Sequence, residues 1–228
     1  MRRPVVGWCG IALALLSACA STAPAELLDR SLRFDPPIEL PEPDQLGTTS
    51  LEASLRERRS AREFASTELP LAQLAQLFWA GQGVTDANGH RTAPSAGALY
   101  PLELYAVTET TVSHYLPDGH RLEQRPDPRP WPELADAAFA QSFIGDAPTV
   151  LVISGVVERT EARYGAVASD LMNREAGHAA QNILLQAAAL ELATVPVGGF
   201  DPARVARLLG LPPGEEVLYL IPVGVPPG

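Results

Sequence analysis

The run Thr149 to Val156 constrains the fold more than any other stretch of this chain. It is almost entirely apolar and β-branched, the pattern of a strand buried on both faces. Its sheet then needs cover on two sides. The clearest source of cover is a long helix over Asn173 to Ala193, with Ala176, Ala180, Ile183, Leu184, Ala187 and Leu190 as its apolar stripe. So much Ala suits tight packing, as in a central or dimer-forming helix. Residues 102–108 alternate as a strand, and Val112 to Tyr115 and Arg121 to Gln124 flank the turn signature Pro117-Asp118-Gly119 as a hairpin. Val217 to Val225 is a last strand, where Pro222 implies an edge or a bulge.

Four shorter helices complete the pattern. Thr49 caps one that runs to about Arg58, with Glu52 closing a capping box. Leu71, Leu74, Leu77 and Phe78 mark a second, with Pro70 in its first turn and Gly81 and Gly83 ending it. Trp131 to Phe143 is a third. Asp201 caps a fourth with Pro202 at its first position, and Gly210 closes it. Strands and helices mix without strict βαβ alternation, so the expected class is α+β.

The chain has 228 residues, which suits one domain with an extension. All 17 basic residues are Arg. The lack of Lys excludes a Schiff-base enzyme and a Walker-type phosphate loop. A net charge of −10 argues against nucleic acid as a partner. His90, His114, His120 and His178 show no metal-ligand spacing, so no metal is expected. Ser60 and Ser95 have no identifiable His-Asp partners for a hydrolase triad.

The amino terminus carries a different message. Arg2 and Arg3 precede an apolar stretch, Val5 to Ala18, too short to span a bilayer and right for the core of a signal peptide. It ends in Leu16-Ser17-Ala18-Cys19, which resembles the lipobox of bacterial lipoproteins. That resemblance implies a signal peptide over 1–18, cleavage before Cys19 and lipidation of Cys19. It further implies an exported chain anchored to a membrane, and Ala20 permits the periplasmic face of an outer membrane. Cleavage also removes Cys9 and leaves no free thiol for catalysis. Residues 19–48 contain Pro24, Pro36, Pro37, Pro41 and Pro43 and read as a tether, although Leu32, Phe34 and Ile38 could pack locally.

Three segments could carry chemistry. In extended backbone Arg58, Ser60 and Arg62 face one side, and two guanidinium forks with a hydroxyl suit a phosphate; a solvated basic stretch is the alternative. Ala93 to Pro101 is rich in small residues that let backbone approach a flat ligand, and Ser95 adds a hydroxyl. Pro196-Val197-Gly198-Gly199 follows the long helix, and its paired glycines permit the same approach. Plain loops would read alike.

Their order is more telling. The chain runs Arg-Arg-Ser-Ala-Arg at 58–62, Leu-Phe-Trp-Ala-Gly-Gln-Gly at 77–83, and Arg-Thr-Ala-Pro-Ser-Ala-Gly-Ala-Leu-Tyr-Pro at 91–101. Glu-Ala-Gly-His-Ala-Ala-Gln-Asn-Ile-Leu-Leu-Gln-Ala at 175–187 and Pro-Val-Gly-Gly-Phe at 196–200 follow. Over residues 49–228 this resembles the nitroreductase-like FMN flavoprotein superfamily, and within it the branch of azoline dehydrogenases (SagB or thiazole/oxazole oxidase type). The resemblance implies an α+β homodimer, a central mixed or antiparallel sheet flanked by helices, and two FMN molecules in the subunit interface. Arg58, Ser60 and Arg62 would hold the phosphate and ribityl chain, with Arg59 close by. Pro94, Ser95, Ala96 and Gly97 would line the flavin from the partner subunit. Pro196, Val197, Gly198 and Gly199 would run along the ring edge, with Gln181 and Asn182 as further contacts or core polar residues.

Two departures stand out. Val223 to Gly228 lacks the basic pair that many nitroreductases use for the phosphate. Arg163-Tyr164 stands nearest to the Lys-Tyr pair of azoline dehydrogenases, and Arg is a poor base. No catalytic acid or base is therefore assigned. The implied activity is FMN-dependent oxidation or reduction of a small-molecule or peptide substrate. Azoline peptide dehydrogenation and a non-catalytic flavin- or partner-binding lipoprotein are the alternatives.

Overall fold

A computed structural model describes residues 34–126 and 131–228. The proposed signal peptide, Cys19 and the first part of the tether lie outside these residues. Seven strands form one sheet: β1 (Ile38–Glu39), β2 (Leu102–Val107), β3 (Thr111–Leu116), β4 (Arg121–Pro126), β5 (Thr149–Val156), β6 (Ala193–Thr194) and β7 (Glu215–Gly224). Their order is β1-β4-β3-β2-β5-β7-β6, and every named pair is antiparallel. The helices are α1 (Leu51–Glu57), α2 (Leu71–Gln82), α3 (Trp131–Ala137), α4 (Phe143–Asp146), α5 (Glu158–Tyr164), α6 (Ala168–Ala189) and α7 (Pro202–Leu209).

β5 occupies the interior of the sheet, as its composition demands. Leu151 and Ile153 face a core with Leu77 and Phe78 of α2 and Ile183, Leu184 and Ala187 of α6. Val150 and Val152 face the opposite core with Ile144, Val205 and Leu209. A strand apolar on every residue is thus used on both sides, because helices cover both faces of the sheet.

Several local expectations are corrected. Ser50, not Thr49, caps α1, accepting from the Ala53 amide at 3.1 Å, while the Thr49 hydroxyl donates to the Ala189 carbonyl. Gly81 does not end α2. It is buried within the helix, where a Cβ would stand 2.9 Å from Leu104 and 3.0 Å from Ile183, so its lack of a side chain lets α2 close on α6 and β2. The helix expected from Trp131 to Phe143 is broken, with Phe139 and Ala140 at positive φ. Gln141 steadies the break by donating to the carbonyls of Ala138 and Gly199. α6 starts at Ala168 and stops at Ala189, because Ala193–Thr194 leaves to pair with β7. The cap of α7 stands as expected: Asp201 accepts from Arg204, Pro202 follows, and Gly210 is left-handed.

Pro222 lies in β7, next to the two-residue edge strand β6. Leu220 and Pro222 present their backbones to the same side, where Val197 and Val195 donate to their carbonyls. The donor that Pro222 lacks therefore falls toward the ragged edge and not toward β5. Residues 34–48, within the span read as tether, lie against the body. Ile38 pairs with Leu122, Leu40 is buried, and Gln76 exchanges two hydrogen bonds with the Asp44 backbone.

Candidate active site

α1 ends at Arg58, and the chain continues extended along the sheet edge. Ser60 forms a parallel bridge with Thr194, and the Ala61 amide donates to the Thr194 carbonyl at 2.9 Å. One copy thus brings the Arg58–Arg62 segment beside the 195–199 segment. Arg58, Arg59 and Arg62 border a cavity of about 550 Å³, together with Leu184, Ala188, Thr194, Pro226 and the carboxylates Glu57, Glu63 and Glu191. None of the three guanidinium groups has a carboxylate partner among the described residues; the nearby ion pair joins Arg56 to Glu57. Arg59 bends back onto the carbonyls of Arg56 and Arg58, each at 2.8 Å, and so closes the end of α1. Arg62 lies over the Phe143 ring, 5.4 Å from its centroid. Ser60 and Arg62 are exposed, and Arg58 is half-buried.

In the 196–199 segment the residues divide by role. Pro196 has no amide hydrogen. Val197 is buried, and both its backbone groups bond Leu220, at 2.8 and 3.0 Å. Val197 therefore anchors the segment, and its backbone is not free for the ring-edge contact expected of it. Gly198 and Gly199 are exposed, and their amides donate to nothing among the described residues.

The 94–97 loop is built elsewhere. Gly97 has φ 64°, and Ala98 and Tyr100 also have positive φ, a strained run for residues with a Cβ. The Ser95 hydroxyl oxygen accepts from the Tyr100 amide at 2.9 Å and holds the loop in its turn. α5 supports it from outside: the Arg163 guanidinium donates to the Gly97 carbonyl, and Arg159 donates to the Tyr100 carbonyl while pairing with Glu103. A Cβ on Gly97 would meet Arg163 at 2.7 Å and the Tyr164 hydroxyl at 3.0 Å. Tyr164 is the last residue of α5.

Beneath the loop lies a buried acid that sequence reasoning assigned no role. Glu175 of α6 is 3% exposed, and its Oε1 has no hydrogen-bond partner. Burial pushes its carboxyl up to about 7, against the opposing pull of a bond with the Ser95 hydroxyl and the charge of Arg91. Arg91 donates to Gln82 at 2.9 Å and lies over the Tyr100 ring at 4.5 Å. A signal was present: Glu175 interrupts the apolar face formed by Met172, Ala176 and Ala179. Asn182 donates to the Thr92 carbonyl and is a satisfied core group, whereas Gln181 is exposed.

The chain pairs an antiparallel α+β body with a cationic segment and two small-residue walls, an arrangement suited to a phosphorylated planar ligand. The model of the nitroreductase family matches residues 55–225. A nitroreductase-family protein of Methanocaldococcus jannaschii is 40% identical over 193 residues, covering 82% of this chain and 95% of that protein. An NADH dehydrogenase of Thermus thermophilus is 28% identical over 197 residues, covering 74% of this chain and 83% of its own. A nitroreductase-family crystal structure from Ralstonia eutropha superposes with a TM-score of 0.76 at 30% identity, covering 85% of this chain and 91% of that one. The NADPH:FMN oxidoreductase of Vibrio harveyi shares the fold, with a TM-score of 0.59 at 24% identity over 78% of this chain and 69% of that one. The chain belongs to the nitroreductase family, and it is an oxidoreductase of that family.

Proposed function

We propose that this chain is an FMN-dependent oxidoreductase that acts as a homodimer on a small-molecule or peptide substrate. The observation that carries the proposal is the Arg58–Arg62 segment: three guanidinium groups without carboxylate partners, at one cavity, in a chain of net charge −10. Among the described residues no ion pair ties these groups to Glu57, Glu63 or Glu191, which line the same cavity, so their donors stay available, and a phosphate monoester matches the guanidinium fork. The residues present therefore fit FMN. Arg58 and Arg62, which line the cavity, would hold its phosphate, while Ser60 of the expected set lies outside that lining, and Gly198 and Gly199 would offer their free amides to the ring. FMN, when bound, supplies hydride or electron transfer.

The other wall must come from a second copy. Glu175 stands near Ser95 of the 94–97 loop, whereas Ala188 lines the arginine cavity. Those positions are about 20 Å apart along α6, too far for one copy to close both walls on one ring. Among the relatives, the Vibrio harveyi protein is named for FMN and NADPH and the Thermus protein for NADH. If residues 1–19 export and anchor the chain, a carrier other than a nicotinamide is favoured, and the mass of the mature amino-terminal peptide tests the acylation of Cys19.

The test is flavin content. The purified protein is expected to be yellow and to release FMN on denaturation. Arg58→Ala with Arg62→Ala should weaken FMN binding at least tenfold, roughly the loss of one charge-assisted contact. Full retention of flavin by that variant, or a wild type that no FMN can reconstitute, would overturn the proposal.

A second reading is peptide azoline dehydrogenation. What favours it is α5, which sets Arg163 and Tyr164 against Gly97. Arg163 cannot accept a proton at neutral pH, so the Tyr164 hydroxyl would be the group that moves one. Azoline peptides oxidised at the rate of simple quinones would support this reading, and no turnover of them would remove it.

A further inference from the structure

We propose that Tyr100 is the positioning residue of the 94–100 loop and that Arg91 is the clasp that holds it, so that the hairpin over residues 83–92 sets the wall offered to a ligand. The inference rests on the reading of that loop as one wall of the flavin site. Tyr100 is where the loop rejoins the sheet, just ahead of Pro101 and β2. Its φ is 47°, although it carries a side chain and precedes a proline, a position that ordinarily takes extended backbone with negative φ. Ala98, at φ 54°, adds to the strain. Such backbone persists only where its surroundings fix it. Pro94, Gly97 and Ala98 are the exposed part of the loop, so their placement follows from how Tyr100 is held.

Every part of Tyr100 is engaged. Its amide donates to the Ser95 hydroxyl oxygen at 2.9 Å, and its carbonyl accepts from the Arg159 guanidinium at 3.4 Å. Its hydroxyl oxygen accepts from the Arg91 amide at 3.2 Å, and the Arg91 guanidinium lies over its ring, 4.5 Å from the centroid. Arg91 thus takes the hydroxyl with its backbone and the ring face with its side chain. Arg91 is itself held. It forms an antiparallel bridge with Val84, and the Thr92 amide donates to the Gly83 carbonyl at 2.9 Å. Asp86 ties the hairpin tip by accepting from the Asn88 and His90 amides. The Arg91 Nη1 donates to Oε1 of Gln82, the buried last residue of α2, at 2.9 Å. Among the described residues no carboxylate forms an ion pair with Arg91. Its half-buried charge is therefore left for the face of the Tyr100 ring. The loop has one further tie at its tip, the Arg163 guanidinium on the Gly97 carbonyl at 3.5 Å.

The test is a double-variant cycle with Arg91→Met and Tyr100→Leu. It is read by the backbone amide NMR signals of Gly97 and Ala98 in flavin-free protein, by FMN affinity, and by the visible circular dichroism of bound FMN. Each single variant is expected to shift both amides and to weaken FMN binding roughly fivefold, about the loss of one partly desolvated cation–ring contact. The double variant should bind no more weakly than Tyr100→Leu alone, because without the ring Arg91 has nothing left to clasp. The circular dichroism band should change with the affinity, a response that a loss of stability alone does not give. Arg91→Lys, which keeps a cation without the flat guanidinium, should fall between wild type and Arg91→Met. Tyr100→Phe, which keeps the ring and loses the hydroxyl acceptor, should shift the same amides by less than Tyr100→Leu. These two conservative variants carry the test if the others fail to fold. Amides unmoved in the folded variants, or losses that simply add in the double variant, overturn the inference. Shifted amides in a protein that never binds FMN leave the clasp standing and sink the flavin reading. Bound FMN with unmoved amides does the reverse.

Discussion

Glu175 carries a cost to stability. Its carboxyl ionises near 4.5 in an unfolded chain and near 7 in the folded one. Below pH 4.5 both states hold the proton, and the group costs nothing. Between 4.5 and 7 the folded state keeps a proton that the unfolded state has lost, so stability falls as pH rises, and above 7 the penalty is constant. The full penalty is at most about 3 kcal/mol. Glu175→Gln removes the titration, so its melting temperature relative to wild type should climb by several degrees from pH 4.5 to 7 and then level. Parallel curves for the two proteins would mean that the carboxyl ionises normally. The residue was in plain view in the sequence, in the run Glu-Ala-Gly-His at 175–178. Its burial was not, because burial requires the 91–101 segment to fold over α6. Arg58 and Arg62 drew notice because three arginines within five residues of one extended run are a local pattern that the sequence shows directly. The division of labour between Val197 and the two glycines was hidden, since it depends on which amides β7 takes.

Among the elements, those whose pattern reports burial directly were read best. β5 runs from Thr149 to Val156 as its apolar composition requires, and the β3–β4 hairpin turns at Pro117–Gly119. α7 carries its stop and start signals in single residues, Asp201, Pro202 and Gly210. Misreadings fell where tertiary contacts override a local signal. Gly81 looks like a helix end by propensity, but the close approach of Leu104 and Ile183 needs a residue without a side chain inside the helix. The break after α3 carries no glycine or proline, and Phe139 and Ala140 take positive φ in a turn that Gln141 ties to Gly199. The chain turns out of α6 at Glu191, which has positive φ, and Ala193–Thr194 pairs with β7, because the sheet edge satisfies its backbone groups.

At the scale of the whole molecule, the two walls of the proposed flavin site lie at different parts of α6, and the proposal requires two copies to meet and face them. Subunit mixing tests this. Arg58→Ala with Arg62→Ala damages one wall, and Gly97→Val damages the other by forcing a Cβ against Arg163. Neither variant should bind FMN well alone. Dissociated, mixed in equal parts and reassembled, they should regain about a quarter of the wild-type sites, because half the dimers are mixed and each mixed dimer has one intact site. No recovery would place both walls in one copy. Among the described residues no helix is long and apolar enough to cross a membrane.

The sequence alone determined the α+β class, the doubly buried central strand, the long helix and the cationic segment, because each is written in local composition and period. Tertiary structure decided which amides stay free beside Val197, how the loop at Gly97 is held, and that an acid lies beneath it. Those depend on contacts between residues far apart in the chain, as between Gly97 and Arg163 or Ser60 and Thr194, and no local pattern encodes such a contact.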